Sequence, residues 1–402
     1  MSNLVPDGWE TSNINKTCDV LDSKRIPLNS QERALRKGDY PYYGANGVQG
    51  YIDDYIFEGE HVLLAEDGGN FDQWQNRPIS YLVSGKFWVN NHAHILKAKQ
   101  EHETKFIHYS LVHKNILKHI NGGTRAKLNQ ADMRDISILL PPLPEQQKIA
   151  KILTSVDEVI EKTQAQIDKL KDLKTGMMQE LLTNGIGHTE FKDSPVGRIP
   201  AEWQVKKVGD VTEVIDPQPD HRTPAEVEGG IPYVGLGDID KAGKINFSGA
   251  RKVSQAAYNK QCKGFDIHKK AFIFGKIGTI GNPSILPDKR FYCLSANVVL
   301  ITTSNLLNMR YLFQIFSSDV INNQVLMQTN TTSQPALGIK KVRDFLIPMP
   351  KDESEKKKII GALRSIDEKI DAVSKKLTAN KRTKKALMRD LLTGTVRVNV
   401  DG

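Results

Sequence analysis

The sequence predicts an α+β protein with a pseudo-two-fold internal repeat, in which two globular domains are joined by two long, antiparallel, coiled-coil-like helices. The chain has 402 residues, more than a single core usually holds. Residues 145–184 align without gaps on residues 355–394, and 14 of the 40 positions are identical, which chance does not produce. The predicted order is a first globular domain (1–144), a first helix (145–184), a second globular domain (185–354), a second helix (355–394) and a C-terminal tail (395–402).

Both globular regions contain short apolar or aromatic stretches that are interrupted by Gly, Asn, Asp and Pro. Examples are YPYYGANGVQGYI from Tyr40 and KAFIFGKIGTIGNPSIL from Lys270. Such stretches are typical of short strands and tight turns. Helices are expected over residues 104–119 and 309–324, which makes each domain α+β.

Each forty-residue block has the periodicity of a long amphipathic helix. Apolar residues recur with a 4,3 spacing, which is the pattern of a seam between paired helices. No proline interrupts either block, and Asn184-Gly185 and Gly394 supply stop signals. The helix-pairing seam consists of Ile149, Leu153, Val156, Ile160, Ile167 and Leu170 in the first block, and of Ile359, Leu363, Ile366, Ile370, Val373 and Leu377 in the second.

The repeat supplies each seam with a partner helix in the same chain. A seam of about five heptads would otherwise leave its apolar face in water. An antiparallel pair is favoured because the second domain must link the end of one helix to the start of the next. Lys174 and Lys384 occupy the same seam position in the two blocks. Either their stems cover a seam edge with the amines in solvent, or they fix the register or receive a partner.

The positive charge of the chain is concentrated in the second helix. The formal net charge is +9, and residues 355–393 carry 12 Lys and Arg against 5 Asp and Glu, whereas residues 145–183 carry 6 against 7. A basic helix face is compatible with contact to DNA phosphates, with a docking surface for a partner subunit, or with simple solvation.

Cysteine usage and hydropathy indicate a cytoplasmic protein that does not interact with a membrane. Cys18, Cys262 and Cys293 lie far apart without a CxxC pair, so neither a disulfide framework nor a cysteine zinc site is expected. The N-terminal residues lack a basic stretch followed by an apolar one, and no run approaches the roughly 18 apolar residues of a membrane span.

The sequence lacks the motifs of an enzyme that acts on DNA by itself. Neither an NPPY-type loop of amino-methyltransferases nor a GxxxxGK[ST] phosphate loop occurs. Gly275, Gly278 and Gly281 are spaced as GxxGxxG, which favours glycines at strand ends over a phosphate site. We therefore predict no catalytic residue in this chain.

His92 and His94 are the best candidates for metal ligands, because alternate residues of a strand share a face. When the two domains are aligned, however, Ala296 and Val298 stand at these positions, so the histidines are not part of the repeated design. This favours a polar strand face, and no metal site is predicted.

Basic residues interleaved with aromatic and small polar residues suggest DNA contacts in both domains. Lys and Arg bind phosphates, and amide and guanidinium groups bind base edges. Each such cluster alone is also compatible with a solvated surface loop, but their recurrence in both domains favours binding. The candidates are Tyr42, Tyr43, Asn46, Thr124, Arg125 and Lys127 in the first domain, and His221, Arg222, Tyr233, Lys276, Thr331, Thr332, Ser333 and Gln334 in the second.

The repeated blocks resemble the specificity subunit of type I restriction–modification systems over essentially the whole chain. The resemblance is carried by LPPLPEQQKIAKIL, SVDEVI and LKTGMMQELLTNG, by the second copy ending LMRDLLTGTVRV, and by the opening Pro6-Asp7-Gly8-Trp9. The second copy departs from this pattern where KDESEKKK replaces LPEQQK.

The resemblance implies that two target recognition domains each read one half of a split, asymmetric target in double-stranded DNA, with the helices setting the unread spacer. It implies no catalysis by this chain and two methyltransferase (modification) subunits and restriction motor-nuclease subunits as partners. S-adenosylmethionine, ATP and Mg²⁺ would be bound by those subunits and no cofactor by this chain. The alternatives are a self-contained DNA methyltransferase or nuclease, and a coiled-coil tethering protein without DNA specificity.

Overall fold

The computed structural model describes residues 5–122, 126–220, 222–239, 245–265, 271–287, 291–329 and 336–400. The chain divides into two compact units. Unit 1 comprises residues 1–165 and 374–402, and unit 2 comprises residues 166–373. Each unit therefore contains one globular region together with part of each long helix.

In unit 1, short strands and helices precede the first long helix. The strands are β1 (Glu10–Asn13), β2 (Cys18–Val20), β3 (Tyr40–Gly44), β4 (Gly47–Ile52), β5 (Phe57–Glu58), β6 (His61–Ala65), β7 (Ser80–Val83), β8 (Lys86–Val89), β9 (Ala93–Ala98), β10 (Ile120–Asn121), β11 (Lys127–Leu128) and β12 (Ser137–Leu140). The helices are α1 (Ile14–Thr17), α2 (Ser30–Leu35), α3 (Thr104–Leu111), α4 (Gln130–Arg134) and the long α5 (Leu143–Thr183).

Unit 2 has a related succession of elements. Its strands are β13 (Phe191–Lys192), β14 (Ile199–Pro200), β15 (Gln204–Lys207), β16 (Glu213–Ile215), β17 (Glu226–Val234), β18 (Lys252–Val253), β19 (Ala271–Gly275), β20 (Gly281–Ile285), β21 (Cys293–Leu294), β22 (Val298–Thr302) and β23 (Leu346–Met349). Its helices are α6 (Val208–Val211), α7 (Gln255–Gly264), α8 (Leu306–Phe316), α9 (Asp319–Thr329), α10 (Ile339–Asp344) and the long α11 (Glu353–Leu392).

The sheets of the two units have matching topology. An antiparallel sheet has the order β2-β9-β6-β7 in unit 1 and β16-β22-β19-β20 in unit 2. A second sheet contains the parallel pair β3–β8 in unit 1 and β17–β21 in unit 2. The pairs β1–β12 and β15–β23 lead into the long helices. The α+β fold with a pseudo-two-fold repeat is thus confirmed.

The two long helices pack antiparallel in each unit. In unit 1, Ile149 and Leu153 of α5 share a core with Met388 and Leu391, which lie near the end of α11. In unit 2, Leu182, near the end of α5, shares a core with residues from the start of α11, Ile359 and Leu363. Every predicted seam residue is buried or half-buried. Apolar burial of this kind stabilises a helix pair that would be marginal as isolated helices.

A glycine follows each long helix. Close to it, a tryptophan contacts a glutamate from the start of the other long helix. Gly185 and Gly394 have φ of 67° and 68°, the left-handed conformation of a helix C-cap. In unit 1, Trp9 donates from Nε1 to Glu145 (3.0 Å), whose carboxylate also binds Arg397 of the tail. In unit 2, Trp203 donates to Glu355 (3.0 Å), whose partner is His188 from the residues after α5. The tail therefore has the place in unit 1 that residues 185–192 have in unit 2.

Two of the helices predicted in the globular regions are shorter than expected. The helix predicted over 104–119 ends at Leu111, and the Asn115 side chain accepts from the Leu117 N–H at the start of a separate turn. The helix predicted over 309–324 is divided into α8 and α9, because the hydroxyls of Ser317 and Ser318 bond to preceding carbonyls. The three glycines at 275, 278 and 281 lie at the strand ends and in the turn between β19 and β20, as predicted.

Within the described ranges, no helix has both the length and the apolar composition that a membrane span requires.

Candidate nucleic-acid interface

Charged residues gather at the same sheet edge in both units. The buried strands β6 and β19 occupy equivalent places in the two sheets, and each is followed directly by a charged residue, Glu66 in unit 1 and Lys276 in unit 2. Asp22 and Asp216 follow the outer strands β2 and β16 of these sheets. Because β2 and β6 are both antiparallel to β9, their C-terminal ends lie at one edge, and β16 and β19 are related in the same way.

In unit 1 the edge holds a buried network of ion pairs. His94 Nδ1 lies 2.6 Å from Asp22 Oδ2, and both side chains are at most 3% exposed. Arg25 donates to Glu66 Oε2 (2.6 Å) and lies 3.6 Å from Asp22. Lys127 Nζ, 3.3 Å from Glu66 Oε1, extends the network to the surface. Two acids and three basic side chains thus meet at this edge.

His94 bridges this network to the residue that ends β11. Its Nε2 lies 2.9 Å from the Leu128 carbonyl oxygen, while Nδ1 faces the Asp22 carboxylate. Since a carbonyl and an ionised carboxylate only accept hydrogen bonds, both ring nitrogens face acceptors. The Leu128 N–H in turn donates to the Glu66 carbonyl (2.7 Å). Leu128 is therefore held at both of its backbone groups.

The hydrogen bonds of Asp22 favour its charged form. Burial alone would raise the pKa of this carboxyl, but hydrogen bonds from His94, Gln130 and the Ile95 N–H, together with the charge of His94, hold the pKa below its ordinary value. Asp22 is thus a buried anion that accepts from three donors on two elements, β9 and α4.

Asp22, Glu66 and His94 have ligand atoms within 4.8 Å of one another, close enough to hold a metal ion. In this arrangement, however, His94 directs its nitrogens at Asp22 and at a carbonyl, and Arg25 contacts both carboxylates. The positive charge that a metal would supply is already provided by side chains of the chain itself.

Among the described residues of unit 2, the ion pair between Lys276 and Asp216 takes the place of this network. Lys276 Nζ lies 2.7 Å from Asp216 Oδ2, and the two side chains are 3% and 13% exposed. The Lys276 N–H donates to the Asn297 carbonyl (2.8 Å), and its own carbonyl accepts from Leu337 (2.8 Å). Lys276 therefore joins three segments of unit 2, as Glu66 and His94 do together in unit 1.

The sheet register identifies the counterparts of the two histidines in unit 2. His94 pairs with the penultimate residue of β6, and Val299 pairs with the penultimate residue of β19, so Val299 and Asn297 are the counterparts of His94 and His92. The alignment made from the sequence was one residue out of register. Where unit 2 has Lys276, unit 1 has an acid, and His94 with Arg25 supplies the missing positive charge.

The predicted contact residues of the first domain have different environments. Tyr42 is 1% exposed and its hydroxyl bonds to the backbone of Leu28, so it supports the surface from below. Tyr43 is half-buried and stacks edge-on against Phe87. Asn46 is exposed, donates to the Gly68 carbonyl and accepts from Asn70, and Lys127 is half-exposed. Thr124 and Arg125 lie outside the described residues.

The predicted contact residues of the second domain are also divided between the core and the surface. Tyr233 is 6% exposed and its hydroxyl accepts from the Ala296 N–H, and Lys276 is buried. Arg222 is exposed. His221, Thr331, Thr332, Ser333 and Gln334 lie outside the described residues. Burial thus gives Tyr42, Tyr233 and Lys276 supporting places, and the remaining DNA contacts stay predictions.

Unit 2 has an open cleft beside Lys276 that sequence reasoning missed. It has a volume of about 430 Å³. Its lining combines glycine backbone and polar side chains, including exposed Arg251, Thr279 and Asn297, with Tyr233, Leu236 and Ile277. Gly275 permits the tight turn below it, because a Cβ there would lie 2.1 Å from the Thr279 carbonyl oxygen. Guanidinium, hydroxyl and amide groups are those that bind base edges. No motif marks Arg251 or Asn297, which only the fold brings together.

The fold and the two equivalent sheet edges define a protein of two repeated α+β domains linked by paired helices. The sequence matches the type I restriction modification DNA specificity domain over residues 6–172 and 200–380. The chain therefore belongs to the type I restriction–modification DNA specificity family, which confirms the family predicted from the helix blocks.

Proteins with similar sequences or folds are described as type I specificity subunits. A putative type I restriction enzyme specificity subunit of Haemophilus influenzae is 28% identical over 305 residues, which cover 75% of this chain and 74% of that one. The putative MjaX specificity subunit of Methanocaldococcus jannaschii is 27% identical over 98% of this chain and 95% of its own. The crystal structure of a type I S subunit from M. genitalium has a similar fold, with a TM-score of 0.60, 14% identity and coverage of 97% and 98% of the two chains.

Proposed function

We propose that this chain is the specificity subunit of a type I restriction–modification complex and that it reads a bipartite, asymmetric sequence in double-stranded DNA. Each globular domain reads one half-site, and the paired helices set the length of the unread spacer. The observation that carries this proposal is the repeated sheet edge, which presents a different set of side chains in each unit of a chain that belongs to the DNA specificity family.

The differences between the units support an asymmetric target. At equivalent positions just before β9 and β22, unit 1 has His92, whose side chain is 34% exposed, and unit 2 has the exposed Asn297. Base edges are distinguished by the pattern of donors and acceptors that face them. Two edges with different donors and acceptors would therefore select different half-sites.

The proposed partners follow from the family. Two methyltransferase subunits would dock on this chain, and restriction motor-nuclease subunits would join them in the cytoplasm. This chain would act without catalysis, while S-adenosylmethionine, ATP and Mg²⁺ would be bound by the partner subunits. The relatives named above are themselves described as specificity subunits, which supports this division of labour.

Expression with and without a partner methyltransferase tests the proposal. Sequencing of methylated DNA is expected to show one bipartite methylated-adenine motif when both are expressed and none with either alone. Methylation by this chain alone would instead indicate a self-contained methyltransferase. Binding that does not discriminate between DNA sequences would indicate a tethering protein.

A further inference from the structure

The two units have residues of opposite charge at an equivalent backbone position. Glu66 and Lys276 occupy the same place after equivalent strands, and each lies near an aspartate, Asp22 or Asp216. In both units the carbonyl of this residue accepts from a leucine N–H that follows a predicted DNA-contact segment, namely Leu128 after Thr124 and Arg125, and Leu337 after residues 331–334.

In unit 2 the Lys276 side chain holds a backbone segment that lies beside the cleft. Its Nζ lies 2.7 Å from Asp216 Oδ2. The Lys276 backbone is hydrogen-bonded to Asn297 on one side and to Leu337 on the other. Asp216 is held in turn, since its Oδ1 accepts from the Gln218 N–H (3.0 Å). Because Asn297 lines the cleft, a shift of Lys276 would displace a group that faces it.

In unit 1 the ion pair that holds the equivalent backbone is formed by a side chain from another strand, β9. Glu66 cannot pair with Asp22, because both are acidic and their like charges repel. His94 pairs with Asp22 instead and donates to the Leu128 carbonyl, next to the half-exposed Lys127. The two ion pairs therefore hold equivalent backbone positions by different chemistry.

We propose that Lys276 and His94 are positioning residues for DNA reading, each holding from inside its unit the backbone that carries the base-reading groups of that unit. The inference rests on the proposed function. It concerns geometry alone, since neither side chain is exposed enough to contact DNA. Loss of either ion pair should therefore impair one half-site and leave the other unchanged.

The first test uses unit 2 in the full chain with its partner methyltransferase. D216N/K276M removes both charges, so no charge remains buried without a partner, and the Asn keeps an acceptor for Gln218. Discrimination is the ratio of Kd for duplexes with the second half-site scrambled and intact. We expect this ratio to fall by roughly 10-fold, within the range that one base contact supplies, with the first half-site unchanged. K260M, which removes an exposed lysine of the same unit, is the matched control and should change neither ratio.

The corresponding variant of unit 1 is D22N/H94F. For this variant we expect discrimination to fall at the first half-site and to stay unchanged at the second. Thermal unfolding of both double variants identifies loss of folding. If either double variant fails to fold, D216E, which keeps the charge and moves the carboxylate by one methylene, should still reduce discrimination at the second half-site only. Unchanged discrimination in a folded variant, or equal loss at both half-sites, contradicts the proposal. A wild-type chain that discriminates at neither half-site contradicts the proposed function instead.

Discussion

Lys174 of the first long helix forms an ion pair with Asp367 of the second, with 2.7 Å between Nζ and Oδ1. The counterparts of these residues at the 210-residue offset, Lys384 and Asp157, form the reciprocal pair at 2.5 Å. Each pair is confined to one unit, and the four side chains are 24% to 42% exposed. This geometry supports the interpretation that the seam lysines fix the register of the helices. Each amine binds an aspartate of the facing helix, and both pairs can form together in one antiparallel register.

Removal of the Lys384 amine should destabilise unit 1. The lysine lies over the ring of Tyr109, whose hydroxyl donates to Asp157, so K384M leaves a half-buried carboxylate without its cation. We expect a loss of about 1 kcal/mol in the free energy of unfolding, measured in urea. K385M, one residue along on the exposed face, should have no effect. Equal losses in both variants would show that the ion pair contributes nothing specific.

The C-terminal tail should be needed for the stability of unit 1. Arg397 binds the Glu145 carboxylate through two nitrogens at 2.8 Å and donates to the Asp7 carbonyl. R397M removes the cation that pairs with the buried Glu145 and leaves it with Trp9 and the Val398 N–H, so the thermal midpoint of unit 1 should fall. R389M is the control, because Arg389 is exposed and pairs with its neighbour Asp390 in the same helix. A midpoint equal to that of R389M would contradict this role of the tail.

Acid should destabilise unit 1 through His108. Burial, and to a smaller degree the charge of Lys384, lower the pKa of His108 to about 4. The unfolded chain binds this proton near pH 6.5 and the folded chain does not, so stability is complete above pH 6.5 and falls as the pH approaches 4. The loss should reach about 3 kcal/mol in the free energy of unfolding. H108Q should flatten this pH dependence, and an unchanged slope between pH 7 and 4.5 would contradict the assignment.

Surface residues of the two units should affect DNA binding in different ways. R251A and N297A should each relax the sequence read at the second half-site by roughly 5-fold to 100-fold, because their groups are suited to base edges. K127A should weaken binding to all sequences and reduce the salt dependence by about one counterion, as expected for a phosphate contact. Binding assays at several salt concentrations separate these effects. A change in half-site discrimination in K127A would show that Lys127 reads bases.

The helices and the repeat could be predicted from the sequence because both are periodic. An apolar seam of constant spacing can be recognised without knowing any contact, and the second copy identifies its partner helix. Burial on the strands was harder to predict. Alternation requires Tyr42 and Tyr43 to face opposite sides of β3, but only the packing shows that Tyr42 faces the core.

The charged networks could not be predicted, because they join residues distant in the sequence. Asp22 and His94 are separated by 72 positions, and Asp216 and Lys276 by 60. The exchange of Glu66 for Lys276 looks like simple divergence until the strands are superimposed by their register. His94, one of the two histidines for which the sequence favoured a polar strand face, is then seen to compensate for that exchange.

Exchange of one domain tests the central claim most directly. Residues 1–144 would be replaced by the corresponding domain of a relative with a different target, and the methylated motif would be sequenced after expression with the methyltransferase. We predict that one half-site changes while the other half-site and the spacer length stay as in the parent. A change in both half-sites, or in neither, would contradict the account of two independent readers on one helical spacer.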